Sequence, residues 1–135
     1  MVPTMLVVDD QEEMAELVCD VAGMVGFKAE AVTSVRDLFK KFEVAMPDVI
    51  VLDLIMPDID GLELIQKLSR TGSRSKLIIM SGYQSSYLRA AEILADGLGL
   101  TTIGVIRKPA SISDLELQCE TAKRAVELDR SARHV

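Results

Sequence analysis

Four uninterrupted apolar residues, Val49-Ile-Val-Leu52, run straight into a carboxylate, Asp53. An apolar run of this length without alternation is the pattern of a strand covered on both faces in a parallel sheet. Helices over both faces leave only the strand ends open, so Asp53 falls where open α/β sheets form their ligand crevice. The residues that follow predict a loop, since Pro57 cannot donate to a ladder and Asp58, Asp60 and Gly61 are turn formers. Taken alone, Asp53 reads equally well as a cap for that loop or for the next helix.

The same grammar recurs along the chain. Met5 to Val8 predicts a first strand ending at Asp9-Asp10, and Met14, Leu17, Val18, Val21 and Val25 mark a helix that stops near Gly26. Cys19 falls off that stripe and is expected to be exposed. Lys28 to Val32 alternates polar and apolar, as a half-covered strand does. Ser34 is placed to cap a helix with the stripe Val35, Leu38, Phe39 and Phe42, and Pro47 closes that unit before a third strand over Asp48 to Asp53. Leu62, Ile65 and Leu68 predict a short helix ended by Thr71-Gly-Ser73. Lys76 to Met80 is the fourth strand, leading into Ser81-Gly82. Tyr87, Leu88, Ala91, Leu94 and Ala95 mark the fourth helix, before the turn at Gly97 to Gly99. Thr102 to Ile106 is the fifth strand, leading into Arg107-Lys108-Pro109. Ser111 or Ser113 caps a last helix with the stripe Ile112, Leu115, Cys119, Ala122 and Val126, and Ser113 with Glu116 has capping-box spacing.

Five β/α units in alternation predict an α/β fold, a doubly wound parallel sheet with helices on both faces. The 135 residues suffice for one core, assigned to residues 1–128, with the polar segment 129–135 expected to be a frayed tail or the start of a linker. The formal net charge of −6, without a basic run, disfavours direct nucleic-acid binding. No basic, apolar leader and no run of membrane-spanning length is present, so a cytoplasmic location is expected. Cys19 and Cys119 lack the spacing and the histidines of a zinc site, and suggest no disulfide framework.

Four of the five predicted strands end in chemistry at one edge of the sheet: Asp9 and Asp10, Asp53, Ser81, and Lys108. The chain here resembles the receiver domain of two-component response regulators. The pieces that carry the resemblance are Val8-Asp9-Asp10, the segment from Asp53 to Gly61 with its Met56-Pro57 and Asp60-Gly61, Met80-Ser81-Gly82, and Lys108-Pro109. It implies a flavodoxin-like sheet in the order 2-1-3-4-5.

The resemblance also implies a chemistry. Crowded carboxylates repel, and oxygen-only ligands favour Mg²⁺ or Mn²⁺. Asp10, Asp53 and the main-chain carbonyl of Ile55 would hold the metal directly, and Asp9 would act through a water. Asp53 would accept a phosphoryl group from a phosphohistidine on a sensor histidine kinase or phosphotransfer protein, or from a small phosphodonor. Lys108 and the Ser81 hydroxyl would meet the new phosphate oxygens, and a cis peptide before Pro109 would aim the lysine inward. Such a domain would not be an enzyme toward other substrates. It would switch an output domain, partner or second copy through the face formed by the fourth helix, fifth strand and last helix.

One departure from the family pattern is Val105, where receivers carry an aromatic ring that swings inward as the hydroxyl residue moves. Switching would then fall to Ser81, Gly82 and Tyr83, with Val105 nearly fixed. The stretch from Ala91 to Pro109 further resembles receivers fused to EAL-type cyclic-di-GMP phosphodiesterases. Other readings stand beside these. Asp9 could cap the first helix, Lys108 could be a surface lysine, and Ser81-Gly82 a plain turn. An aspartate-nucleophile phosphohydrolase also uses an acid after a buried strand, but its second acid two residues on is Ile55 here. A non-phosphorylated docking module would be expected to lack an acid or the lysine.

Overall fold

A computed structural model describes residues 1–82 and 85–133. Tyr83, named above for the switch, and His134 lie outside the described residues. The elements in chain order are β1 (Thr4–Val8), α1 (Glu12–Val25), β2 (Lys28–Val32), α2 (Val35–Val44), β3 (Val49–Asp53), β4 (Ile55–Met56), β5 (Ile59–Asp60), α3 (Gly61–Arg70), β6 (Lys76–Ser81), α4 (Ser85–Gly97), β7 (Thr101–Arg107) and α5 (Ile112–Arg133). Five parallel strands form one sheet in the order β2-β1-β3-β6-β7, and β4 pairs antiparallel with β5 as a separate ribbon. With that ribbon set aside, the order is the expected 2-1-3-4-5.

The pleat explains the apolar runs. Met5, Val7, Val49, Val51, Ile78 and Met80 face one way and pack with Ala15, Val18, Leu115, Cys119 and Ala122 of α1 and α5. Leu6, Val8, Ile50, Leu52, Leu77 and Ile79 face the other way, against Leu38, Leu64, Ile65, Leu68, Leu88 and Ala91 of α2, α3 and α4. Because β3 lies between β1 and β6 and is covered on both sides, each of its five residues is buried. β2 and β7 are the edges. β7 carries a register irregularity where Thr102 pairs with Leu77 but Gly104 pairs with Ile78.

Five local expectations are corrected. The stretch after Asp53 is not plain loop, because Ile55 pairs with Asp60 and Met56 with Ile59 about the Pro57-Asp58 turn. The capping box of α5 is Ser111 with Asp114: each backbone N–H donates to the other's side chain, at 3.1 and 3.3 Å. Ile112 is the first residue of α5 and is exposed rather than part of the buried stripe. Cys19 is half-buried against the α1–α5 core, and burial, then the nearby Asp20, Glu16 and Glu30, push its thiol up to about 11. The segment from Asp129 is no frayed tail, since α5 continues to Arg133. Arg130 pairs with Asp48 at 2.9 Å and donates to the Met1 carbonyl at 2.8 Å, tying that last turn to the end of the sheet remote from Asp53.

Candidate functional site

Three strand ends and one strand-to-helix turn build the site. β1 delivers Asp9, fully buried, and Asp10, exposed just beyond it. β3 delivers Asp53, only 3% exposed, in register with Met80 of β6, and the next residue's N–H continues the ladder onto the Met80 carbonyl. β6 ends at buried Ser81, whose carbonyl accepts the Lys108 N–H at 3.0 Å. β7 leads to Lys108, and the Lys108–Pro109 peptide is cis.

Lys108 reaches across the crevice. Its Nζ lies 2.8 Å from Asp9 Oδ2 and 3.0 Å from Asp53 Oδ2, with Gln11 Oε1 at 3.4 Å. The remaining carboxylate oxygens hold the backbone, Asp9 Oδ1 accepting the Gln11 N–H at 2.9 Å and Asp53 Oδ1 the Ile55 N–H at 3.0 Å. Asp9 therefore shapes the turn into α1 instead of capping it; Gln11 stands at the cap position, with no side-chain cap bond. Gln11 was not legible as a site residue, because nothing about a glutamine after an acid pair marks it as a lysine partner.

Burial pushes the Asp53 carboxyl up to about 6, against the pull of the Ile55 N–H and Lys108, with the Asp9 charge adding to the rise. For Lys108 burial works the other way, but the bonds to Asp9 and Asp53 outweigh it and hold the ammonium more firmly protonated than usual. The two directions differ because one ammonium shared between two buried acids gains two partners, while each acid gains half of one. At neutral pH Asp53 is thus an anion, and a more basic one than an ordinary aspartate.

One carboxylate oxygen from each of Asp9, Asp10 and Asp53 lies within 4.8 Å of the other two, an all-oxygen donor set that could hold a hard divalent cation. Ile55 sits at the rim with its side chain 40% exposed. Gly82 is exposed, and a Cβ placed on it would meet the Lys108 Cβ at 3.5 Å. Val105, by contrast, is a half-buried member of the core between β7 and the α2–α4 layer. The structure thus gathers Asp9, Asp10, Asp53 and Lys108 about one point, seats Ser81, Gly82 and Ile55 on the elements that lead to it, and places Val105 in the packing.

A flavodoxin-like parallel sheet with an acid triad and a bridging lysine at its carboxyl edge defines a class of phosphoryl-accepting signalling modules. The model of the response regulator receiver domain family matches residues 5–120, and the chain belongs to that family. It is 31% identical, over 83% of its length, to a protein-glutamate methylesterase/protein-glutamine glutaminase of Treponema denticola, and 22% identical, over 96%, to the regulatory protein AtoC of Escherichia coli K12. It spans 30% and 27% of those proteins. A response regulator from Colwellia psychrerythraea superposes with a TM-score of 0.78 at 32% identity, covering 92% of this chain and 99% of that one. The named relatives lend no support to the EAL-type resemblance. A receiver is in general a non-enzymatic module, and in the methylesterase it occurs in an enzyme's chain. Among the described residues no helix is long and apolar enough to cross a membrane.

Proposed function

We propose that Asp53 is the phosphoacceptor of this receiver and that Mg²⁺, or Mn²⁺, is its cofactor. The observation that carries the proposal is the Lys108 ammonium, seated 2.8 and 3.0 Å from Asp9 and Asp53 within a cluster of three acids. Asp10, Asp53 and the Ile55 carbonyl would hold the metal, with Asp9 one water away. When bound, the metal supplies positive charge to the phosphoryl oxygens.

The chain's own residues do the rest. An Asp53 oxygen attacks the phosphorus of a phosphohistidine or small acyl phosphate. In the first case the P–N bond breaks, the electron pair leaves on the imidazole, and Asp53 becomes an acyl phosphate. Lys108 holds the two buried acids together before transfer, and its ammonium then serves the new phosphoryl oxygens, as does the Ser81 hydroxyl. The donor partner would be a sensor histidine kinase or phosphotransfer protein in the cytoplasm. The receiver unit is assigned to residues 1–128, and an output domain would be joined through the last turn of α5, which runs to Arg133. An output partner, or a second copy, would use the face of α4, β7 and α5, where Ile93 and Leu117 are 61% and 57% exposed.

The test is intact mass after treatment with acetyl phosphate and Mg²⁺. One phosphoryl group is expected on the native chain and none on Asp53→Asn. Labelling of the asparagine variant at the native level would remove Asp53 from its role.

A further inference from the structure

Asp60 serves two neighbours with one oxygen. Its Oδ1 accepts the Leu62 N–H at 2.8 Å, capping α3, and also accepts the Tyr87 phenol O–H at 2.8 Å. Tyr87 stands near the start of α4 and is the only aromatic residue of that helix. In the other direction Asp60 lies opposite Ile55 in the β4–β5 ladder, and the Ile55 N–H is bonded to Asp53 Oδ1 at 3.0 Å. Asp53, Ile55, Asp60 and Tyr87 therefore form an unbroken series, each touching the next, from the acid to α4.

The ribbon in the middle of that series is weakly held. It has two residues per strand, and a ribbon so short is not stable alone. A cavity of about 820 Å³ opens beside it, lined by Ile55, Pro57, Asp58, Asp60 and Tyr87 among others. The phenol reaches across this gap as a tie between the ribbon and α4.

We propose that Tyr87 couples the chemical state of Asp53 to the position of α4, acting through Asp60. This rests on Asp53 being the phosphoacceptor. Phosphorylation turns the Asp53 carboxylate into an acyl phosphate and moves its charge onto the phosphoryl oxygens, so the bond from the Ile55 N–H loses its charge assistance at the carboxyl oxygen and becomes roughly half as strong. Ile55 and its ladder partner Asp60 are then free to shift, and the Tyr87 bond passes that shift to α4 or breaks with it. Either way α4 responds without any ring at Val105.

The experiment compares the native chain, Tyr87→Phe and Asp60→Asn before and after acetyl phosphate with Mg²⁺. Intact mass counts the phosphoryl group, and amide chemical shifts follow residues 86–97. The expected result is one phosphoryl group on all three proteins and a response of α4 that falls by roughly three- to ten-fold in Tyr87→Phe, the range set by losing one hydrogen bond. Asp60→Asn retains an acceptor oxygen and a helix cap and should keep most of the response, which a merely structural role for Tyr87 would not require. If Tyr87→Phe disturbs folding, Asp60→Ser replaces it, since serine still caps α3 but is too short to reach the phenol. Phosphorylation with an undiminished α4 response in the tyrosine variant overturns the coupling, as does a native α4 that does not respond. Absence of phosphorylation in the native chain overturns the phosphoacceptor reading itself.

Discussion

Replacing Asp53 with asparagine should make the metal-free protein more stable at pH 8, an unusual outcome for a change at a buried polar site. Burial moves the carboxyl from 3.8 in the open chain to about 6 in the fold. Between those values the folded state binds the proton more tightly than the unfolded state, so wild-type stability falls as pH rises through that window, and the loss is complete above it. A shift of about two pH units corresponds to roughly 3 kcal/mol. Asparagine keeps the shape and removes the charge, but Lys108 is left paired with Asp9 alone. A net gain of about 1–3 kcal/mol, or a Tm increase of roughly 4–10 °C, is therefore expected at pH 8. At pH 4 the two proteins should converge, because Asp53 is then protonated in the fold. Urea or thermal unfolding of both proteins in EDTA, at several pH values from 4 to 8, measures this directly, and other titrating groups cancel in the difference. A difference that does not change with pH, or an asparagine variant less stable at pH 8, would refute the account of Asp53 as an anion held against its burial cost.

Mg²⁺ should stabilise the native chain by mass action, about 2.7 kcal/mol at a hundred times its dissociation constant, and phosphorylation should cease in excess EDTA; undiminished labelling in chelator would end the metal's proposed role. Lys108→Ala should slow phosphorylation while Mg²⁺ binding persists, and should cost roughly 2–4 kcal/mol of stability at pH 8 because two buried acids lose their shared cation. That cost should shrink below pH 6, and a constant cost would argue against it. Gly61→Ala should destabilise by about 2 kcal/mol, because its Cβ would lie 2.5 Å from the Leu54 carbonyl oxygen, a backbone atom that cannot swing aside. An unchanged unfolding midpoint would show that the loop yields.

The fold was legible because its signals are cumulative. Val49 to Leu52 can only be covered on both faces, and Ser34 before the Val35, Leu38 stripe can only start a helix; the Asp37 N–H does donate to the Ser34 hydroxyl, at 3.1 Å. What escaped was decided by tertiary contact. The four residues of the β4–β5 ribbon are too few to show a period, and its pairing of Ile55 with Asp60 and Met56 with Ile59 appears only in the fold. Asp129 to Arg133 is polar except for Ala132 and looks unstructured, yet Arg130 finds Asp48 and the Met1 carbonyl, partners more than eighty residues away in sequence. The choice of Ser111 over Ser113 as the cap of α5 turned on which carboxylate sat three residues on, and both positions offered one.

At the site, Asp9, Asp10, Asp53 and Lys108 were legible because acids and a lysine at strand ends of one edge have few other uses. Their neighbours were not. Tyr87 fits the apolar stripe of α4 as well as Leu88 does, and only the geometry shows its hydroxyl leaving the core for Asp60. Val105 gave the clue that something else must move, since a β-branched side chain has one stiff torsion and cannot trade a buried for an exposed position as a ring can. Val105 is half-buried against the core of this face. Under the proposed coupling, the Tyr87–Asp60 bond gives α4 a link to the Asp53 segment that needs no ring on β7.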